Sequence, residues 1–395
     1  MVLSTLRRAG HFPSLVAAFV YFDVSFMVWM LLGALGPYVA ADLDLSAAQK
    51  GLMVAAPLLG GAAFRLLLGG LADRLGCCRV GMSALGLTAV PLAWGALAGG
   101  SYWQVLGMGA LLGIAGASFT VALPLASGWY PPEHQGLALG VVGAGNSGTL
   151  IAALAGPRLA EHVGWHGVFA IALIPLGLAF LVFTALAREP RRRGTPSRPL
   201  ALVGDPEAQR LAGLYAVTFG GFVGLVAYLP IYFVDRFGLA KVAAATLAAA
   251  CAGSGSLLRP AGGLLGDRVG GAAVLAGVFG FAALAAVGVA VAPNLGATVA
   301  LIALLVAALG VGNGAVFQIV PQRFPADVGS ITGLVGAAGG VGGFLLPFAL
   351  GSLRHLTGSF APGFLLFAAV AVVARLALPA RRPIDRTDRP VEVAA

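Results

Sequence analysis

Charge is scarce in this chain. Of its 395 residues only 10% are Asp, Glu, Lys or Arg, far below the roughly 25% of soluble domains. Long polar stretches are missing as well, since apolar runs of about 20 residues recur from one end to the other. These shortages exclude a soluble enzyme with one anchor. Cysteine is rare: Cys77 and Cys78 are adjacent in a turn and Cys251 lies in an apolar run, so neither a disulfide framework nor zinc spacing exists. Histidine is rare too. His162 and His166 have helical spacing, but Gly164 lies between them at a span boundary, which favours an interfacial loop over a metal site. His134 falls in a turn. No Walker lysine motif is present, which argues against direct ATP drive. No nucleophile–base constellation stands out, so the chain reads as a non-enzyme without cofactor or metal. The first apolar segment is too long for a cleavable signal and lacks a small-residue cleavage site.

Glycine is plentiful, with 59 residues, about twice the usual share of roughly 7%. Helices in lipid lack a hydrophobic drive to associate and pack closely through small residues. The expectation is an all-α polytopic membrane protein with tight helix crossings. Spans are expected near 14–40, 50–72, 79–99, 102–129, 136–160, 165–187, 210–234, 242–266, 271–292, 297–322, 328–352 and 360–379. Twelve spans put both termini on one side of the bilayer. Arg7, Arg8, Arg74, Arg79, Arg188, Arg191, Arg192, Arg193, Arg198, Arg210, Arg268, Arg323, Arg375, Arg381, Arg382, Arg386 and Arg389 share that side, against Lys50, Arg158, Arg236, Lys241 and Arg354 opposite. That asymmetry makes both termini cytoplasmic, in a cytoplasmic (inner) membrane. The net charge of +9 is then topology, with a small contribution from anionic lipid, and not a nucleic-acid footprint.

The longest polar break, Ala187 to Arg210, is rich in proline and arginine. It divides the chain into a six-helix half at 1–187, a cytoplasmic linker at 188–209 and a second six-helix half with a short tail at 210–395. An internal repeat supports the division. "FRLLLGGLADRLG" (64–76) matches "LRPAGGLLGDRVG" (258–270), pairing Arg65 with Arg259, Gly69 with Gly263, Asp73 with Asp267, Arg74 with Arg268 and Gly76 with Gly270. "GVVGAGNSGT" (140–149) matches "LVGAAGGVGG" (334–343) at the same offset. Two parallel six-span halves with a site between them is the major facilitator architecture, which implies transport by alternating access. The turn "GGLADRLGCCR" (69–79) resembles that superfamily's loop motif. Asp73, Arg74, Asp267 and Arg268 at helix ends are therefore expected to form charge pairs that gate one face.

A charge at the centre of a bilayer helix costs about 3 kcal/mol on insertion scales. Arg65 and Arg259 each stand eight residues before the aspartate of the repeat, roughly 12 Å inside the helix end and near the midplane. Gly61 and Gly69 flank Arg65 at four residues, as Gly255 and Gly263 flank Arg259, and are expected to leave room for a guanidinium facing a cavity. Asp23 alone among the carboxylates is clearly within a span. Two cations with at most one anion leave a positive charge to be matched by an anionic ligand, or else held by carbonyls and Asp23 as a structural clamp. A planar guanidinium suits a planar oxyanion. The polar in-span inventory is sparse: Asn146, Ser147, Thr149, Tyr215, Thr218, Asn313 and Gln318, with Phe119 and Phe219 able to flank a flat ligand. A small, planar, singly charged ion fits it.

"GLALGVVGAGNSGT" (136–149) resembles the signature of the nitrate/nitrite porter family, and "TFGGFVGLVAYLP" (218–230) and "GNGAVFQIVPQRFP" (312–325) resemble its spans seven and ten. The resemblance covers essentially the whole chain. It implies that Arg65 and Arg259 clamp nitrate or nitrite, that Phe119 and Phe219 sandwich it, and that Asn146 and Tyr215 add hydrogen bonds. One departure is that the second signature (333–347) carries glycine where the first carries Asn146, so no polar contact is expected there. A monomer in a lipid bilayer is expected. Inward movement of one anion against an inside-negative potential costs about 2.3 kcal/mol per 100 mV, or about 50-fold in concentration. Exchange of nitrate for nitrite avoids that cost, and symport with more than one proton overcomes it. Asp23 is the candidate proton-coupling residue, or else a permanent partner of Arg65 or Arg259. Rival readings are a transporter of another small anion, such as formate or oxalate, and a non-transporting anion sensor.

Overall fold

The computed structural model describes residues 2–190, 202–324 and 328–378. Residues 191–201 of the expected linker lie outside the described residues, with Arg191, Arg192, Arg193 and Arg198. So do Arg381, Arg382, Arg386 and Arg389 of the tail. Every regular element among the described residues is a helix. Ten of these segments are long and apolar enough to cross a membrane, and Ala361–Leu376 is a shorter apolar one. The longest, Ala138–Leu186, is two spans, because the chain breaks helical geometry at Gly164 (φ 69°, ψ 169°). Twelve spans result among the described residues, as the hydropathy pattern predicts.

Helix ends follow local chemistry. Ser46 and Gln49 form a reciprocal capping box at the start of span two (Ala47–Leu75), satisfying two otherwise orphan amides. Asp205 accepts from the amides of Glu207 and Ala208 at the start of span seven (Pro206–Phe237). Spans two and eight (Lys241–Val269) both end on the repeat's glycine, Gly76 at φ 94° and Gly270 at φ 88°. A side chain is strained in that region of φ. At Gly76 there is a second constraint, because a Cβ would stand 2.8 Å from the Glu189 carboxyl. Glu189 accepts from the amides of Cys77 and Cys78, both at 2.9 Å, and so caps span three (Cys77–Leu97). Its negative charge suits a helix N-terminus.

Backbone-to-backbone crossings build the interior. Spans two and four touch where Gly113 meets Gly60 and Gly61. Spans eight and ten touch where Gly310 meets Gly255 and Gly314 meets the Arg259 carbonyl. Span eleven (Val328–Thr357) packs on span seven through Gly220 and Gly342, and crosses to span two through Gly340 and Ala62. The glycines beside the arginines differ from expectation. Gly61 is filled by the Trp29 indole and Gly255 by Val306 and Phe222, while a Cβ at Gly69 would meet only the Thr120 side chain, at 3.7 Å, and one at Gly263 nothing within 4 Å. Two of the four serve helix packing, because in lipid the gain from close approach goes to dispersion contacts.

Candidate functional site

Spans four and five are each interrupted within the bundle, and both breaks shape one cavity. Span four is two helices, Tyr102–Gly116 and Phe119–Ser127. At the break the Thr120 amide bonds Ala117 instead of reaching back to Gly116, whose carbonyl is freed. Span five passes through a 3-10 turn, Ala144–Ser147, between Pro132–Gly143 and the helix from Gly148. There Gly145 and Gly148 lie so close to span one that a Cβ would strike Phe22 and the Asp23 backbone. The tight turn leaves Asn146 directed at the interior.

The cavity is lined by Phe26, Arg65, Phe119, Asn146, Tyr215, Phe219, Arg259 and Gly336. All six residues expected to touch a ligand line it together, though they come from spans two, four, five, seven and eight. The two arginines are not equivalent. Arg65 is 2% exposed. Its Nε donates to the freed Gly116 carbonyl at 3.1 Å, and its Nη1 donates to Gly336 in the other half at 2.6 Å. Its guanidinium lies 5.2 Å from the rings of both Trp29 and Phe219, a geometry in which ring quadrupoles attract cations. Arg259 is half-buried and sits 5.8 Å over Phe317. The carbonyl clamp weighed from the sequence is thus present at Arg65, but it uses two of five guanidinium donors.

Asp23 bonds the Ser147 hydroxyl at 2.6 Å. It pairs with neither Arg65 nor Arg259, so the permanent ion pair considered from sequence is not what the structure shows. The reason is the close span-five crossing, which brings a hydroxyl to Asp23 and leaves the arginines on the cavity side. Among the described residues no carboxylate lines the cavity. Two guanidinium groups near enough to feel each other's charge therefore share a space whose other walls are aromatic rings, an amide and a phenol. Asn146 Oδ1 has no hydrogen-bond partner among the described residues, and Tyr215 lies within electrostatic reach of both arginines. A buried polar group without a partner is costly. The guanidinium N–H groups, the phenol O–H and the amide N–H are donors that can hold a small anion, while the Oδ1 acceptor needs a donor of its own.

Sequence reasoning missed Phe26, Trp29, Phe317 and Gly336. Trp29 is wedged against Gly61 and Gly116, and its indole donates to the Pro57 carbonyl at 2.7 Å. This holds the ring that faces Arg65. Phe317 stands 6.1 Å from Phe119 and 5.0 Å from Tyr215, and Phe219 stacks on Tyr215 at 5.1 Å. Only the run of aromatics on span one, with Phe26 and Trp29 three residues apart, could have drawn attention to that wall.

Contacts between spans close the face that carries Lys50, Arg158 and Lys241. Lys50 Nζ lies 2.9 Å from both carboxylate oxygens of Asp235, joining spans two and seven. Arg158 donates to Thr246 at 3.2 Å, joining spans five and eight. The Lys241 ammonium sits 4.4 Å from the Tyr38 ring. A second cavity lies between spans one, five, seven and eight, lined by Met30, Ala34, Thr149, Ala153, Val226, Ala227, Pro230 and Ala248. At the other face, Arg74, Asp267 and Arg268 are exposed and Asp73 is half-buried and engaged. His166 binds the Gly95 carbonyl at 2.6 Å and stacks on Trp165. No group of three or more metal-ligating side chains occurs among the described residues.

Residues 17–347 match the Major Facilitator Superfamily. A probable nitrate/nitrite transporter, NarK2, of Mycobacterium tuberculosis is 37% identical over 390 residues, 95% of this chain and 98% of that protein. A probable nitrate/nitrite antiporter, NarK1, of Thermus thermophilus is 37% identical over 363 residues, 82% of this chain and 81% of its own length. Among solved structures, a bacterial homologue of the human lysosomal transporter Spinster, inward-facing and occupied, superposes with a TM-score of 0.71 at 18% identity. That match covers 92% of this chain and 95% of the other. It carries the fold alone.

Proposed function

The chain belongs to the nitrate/nitrite porter family of the major facilitator superfamily, and from that premise we propose that it moves nitrate and nitrite across the cytoplasmic membrane by alternating access. The observation that carries the reading is the pair Arg65 and Arg259 facing one cavity that no carboxylate lines among the described residues. In this reading the anion takes the donors that Arg65 keeps free and those of Arg259, with the Asn146 amide turned to donate. Phe119 and Phe219 bound its flat faces. Nitrate is planar and singly charged, and guanidinium groups present paired donors in a plane. Weak hydration of the ion and of the guanidinium keeps the desolvation cost low.

The halves 1–187 and 210–395 are taken as the moving bodies, joined by the linker 188–209, with the termini in the cytoplasm and the monomer as the working unit. Asp73, Arg74, Asp267 and Arg268 are taken as part of the inner gate. Exchange of nitrate for nitrite is the favoured mode, because it moves no net charge and needs no proton-binding group. Counterflow in proteoliposomes tests it. With nitrite inside and labelled nitrate outside, uptake should follow the nitrite load and persist when the pH gradient is collapsed. Nitrate binding without flux would identify a sensor. Uptake driven by formate or oxalate but not by nitrite would identify a different anion carrier.

A further inference from the structure

Span eleven carries Gly336, Gly339, Gly340, Gly342 and Gly343 within eight residues. Four of them are explained by packing. A Cβ at Gly339 would stand 2.8 Å from the Tyr215 ring, one at Gly340 3.0 Å from the Ala62 Cα, and one at Gly343 2.8 Å from Val223, while one at Gly342 would overlap the Ala216 carbonyl. Gly336 differs. It is buried, yet a Cβ there would meet only Arg65 Cδ, at 3.9 Å. That is ordinary contact distance, so no neighbour forbids alanine. Glycine within a helix is less stable than alanine, and here nothing in the packing compensates. A buried Cβ that would meet one atom within 4 Å is not packed against a neighbour, and Gly336 lines the arginine cavity. The backbone at this point is also held, since the Gly336 carbonyl accepts the 2.6 Å bond from Arg65.

We infer that Gly336 is the size-determining position of the anion site: the missing side chain leaves the volume that the third oxygen of nitrate occupies beside Arg65. This rests on the anion reading above. Nitrate and nitrite share charge and planarity, and differ by one oxygen. A methyl group at residue 336 takes up about the volume of one heavy atom, so it crowds nitrate and leaves space for nitrite. The position discriminates by shape, while the arginines supply the attraction common to both ions.

The test uses the full chain, purified and reconstituted, as wild type, Gly336→Ala and Gly336→Ser. Dissociation constants for nitrate and nitrite are measured by calorimetry, and KM and kcat by counterflow. In Gly336→Ala nitrate affinity should fall about tenfold, in line with the effect of overfilling a packed space, and nitrite affinity by less than about threefold. Gly336→Ser should act alike. Equal losses for both anions, or a drop in kcat with an unchanged affinity ratio, would assign Gly336 to helix bending and overturn the inference. Loss of folding in Gly336→Ala would overturn it as well, because open space predicts tolerance. Wild-type protein that binds neither anion would bring down the anion reading itself.

Discussion

Breaking the Lys50–Asp235 pair should unlatch the face of the transporter on which it lies. The ammonium bonds both carboxylate oxygens at 2.9 Å, and each side chain is 20% exposed. Fully exposed pairs contribute about 0–1 kcal/mol, and stranding one member of a fully buried pair costs about 3–5 kcal/mol. Discounted for its partial exposure, this pair stabilises the closed face by about 1–2 kcal/mol. A two-state equilibrium then shifts toward the open form by roughly 5- to 30-fold. The probe is a single cysteine at Ala153, which lines the second cavity, in a chain whose Cys77, Cys78 and Cys251 have been replaced. Its labelling by an impermeant thiol reagent is timed from the side of the membrane on which Lys50 lies. Lys50→Met and Asp235→Asn should each speed labelling by that factor, and the exchanged pair Lys50→Asp with Asp235→Lys should slow it again. Labelling rates in both single variants within about twofold of the parent would refute the reasoning, since a latch contributing 1–2 kcal/mol cannot be removed silently.

Arg65→Lys and Arg259→Lys should both weaken nitrate binding, because a lysine keeps the charge and loses the planar fork. Arg65→Lys should also lower the melting temperature, since it removes the bonds to Gly116 and Gly336, each contributing about 1.5–3 kcal/mol for a charged donor. Equal melting behaviour of the two variants, read by a thermal-shift assay, would remove the structural asymmetry between them. Phe119→Ala and Phe219→Ala should reduce nitrate affinity about tenfold and admit bulkier anions such as perchlorate; unchanged selectivity in competition binding would make both rings packing residues. Asp23→Asn keeps an acceptor for Ser147 and strands no arginine, so nitrate/nitrite exchange should stay within about threefold of wild type. A collapse of exchange in counterflow would show that the Asp23 charge acts on the site directly.

Composition and spacing by themselves determined the scale of the molecule. Charge scarcity and recurrent apolar runs dictate twelve spans, because bilayer thickness sets the length of an apolar helix. A constant offset between two short motifs placed Arg65 and Arg259 on matching helices, and a lack of in-span carboxylates marked them as a pair seeking an anion. These signals are local or periodic, so a linear reading recovers them. The tertiary structure alone decided how the two arginines differ. Arg65 and the Gly336 carbonyl are 271 residues apart in sequence, and only the crossing of spans two and eleven brings them together. Likewise Asp23 meets Ser147 because Gly145 and Gly148 let span five settle on span one, which no spacing rule states. The same holds for the glycines. All of them look alike as small residues in lipid-packed helices. Only the neighbours at each Cβ separate those that let backbones touch from Gly336, which lines the arginine cavity, since contact distance is a property of the packed bundle and not of the chain.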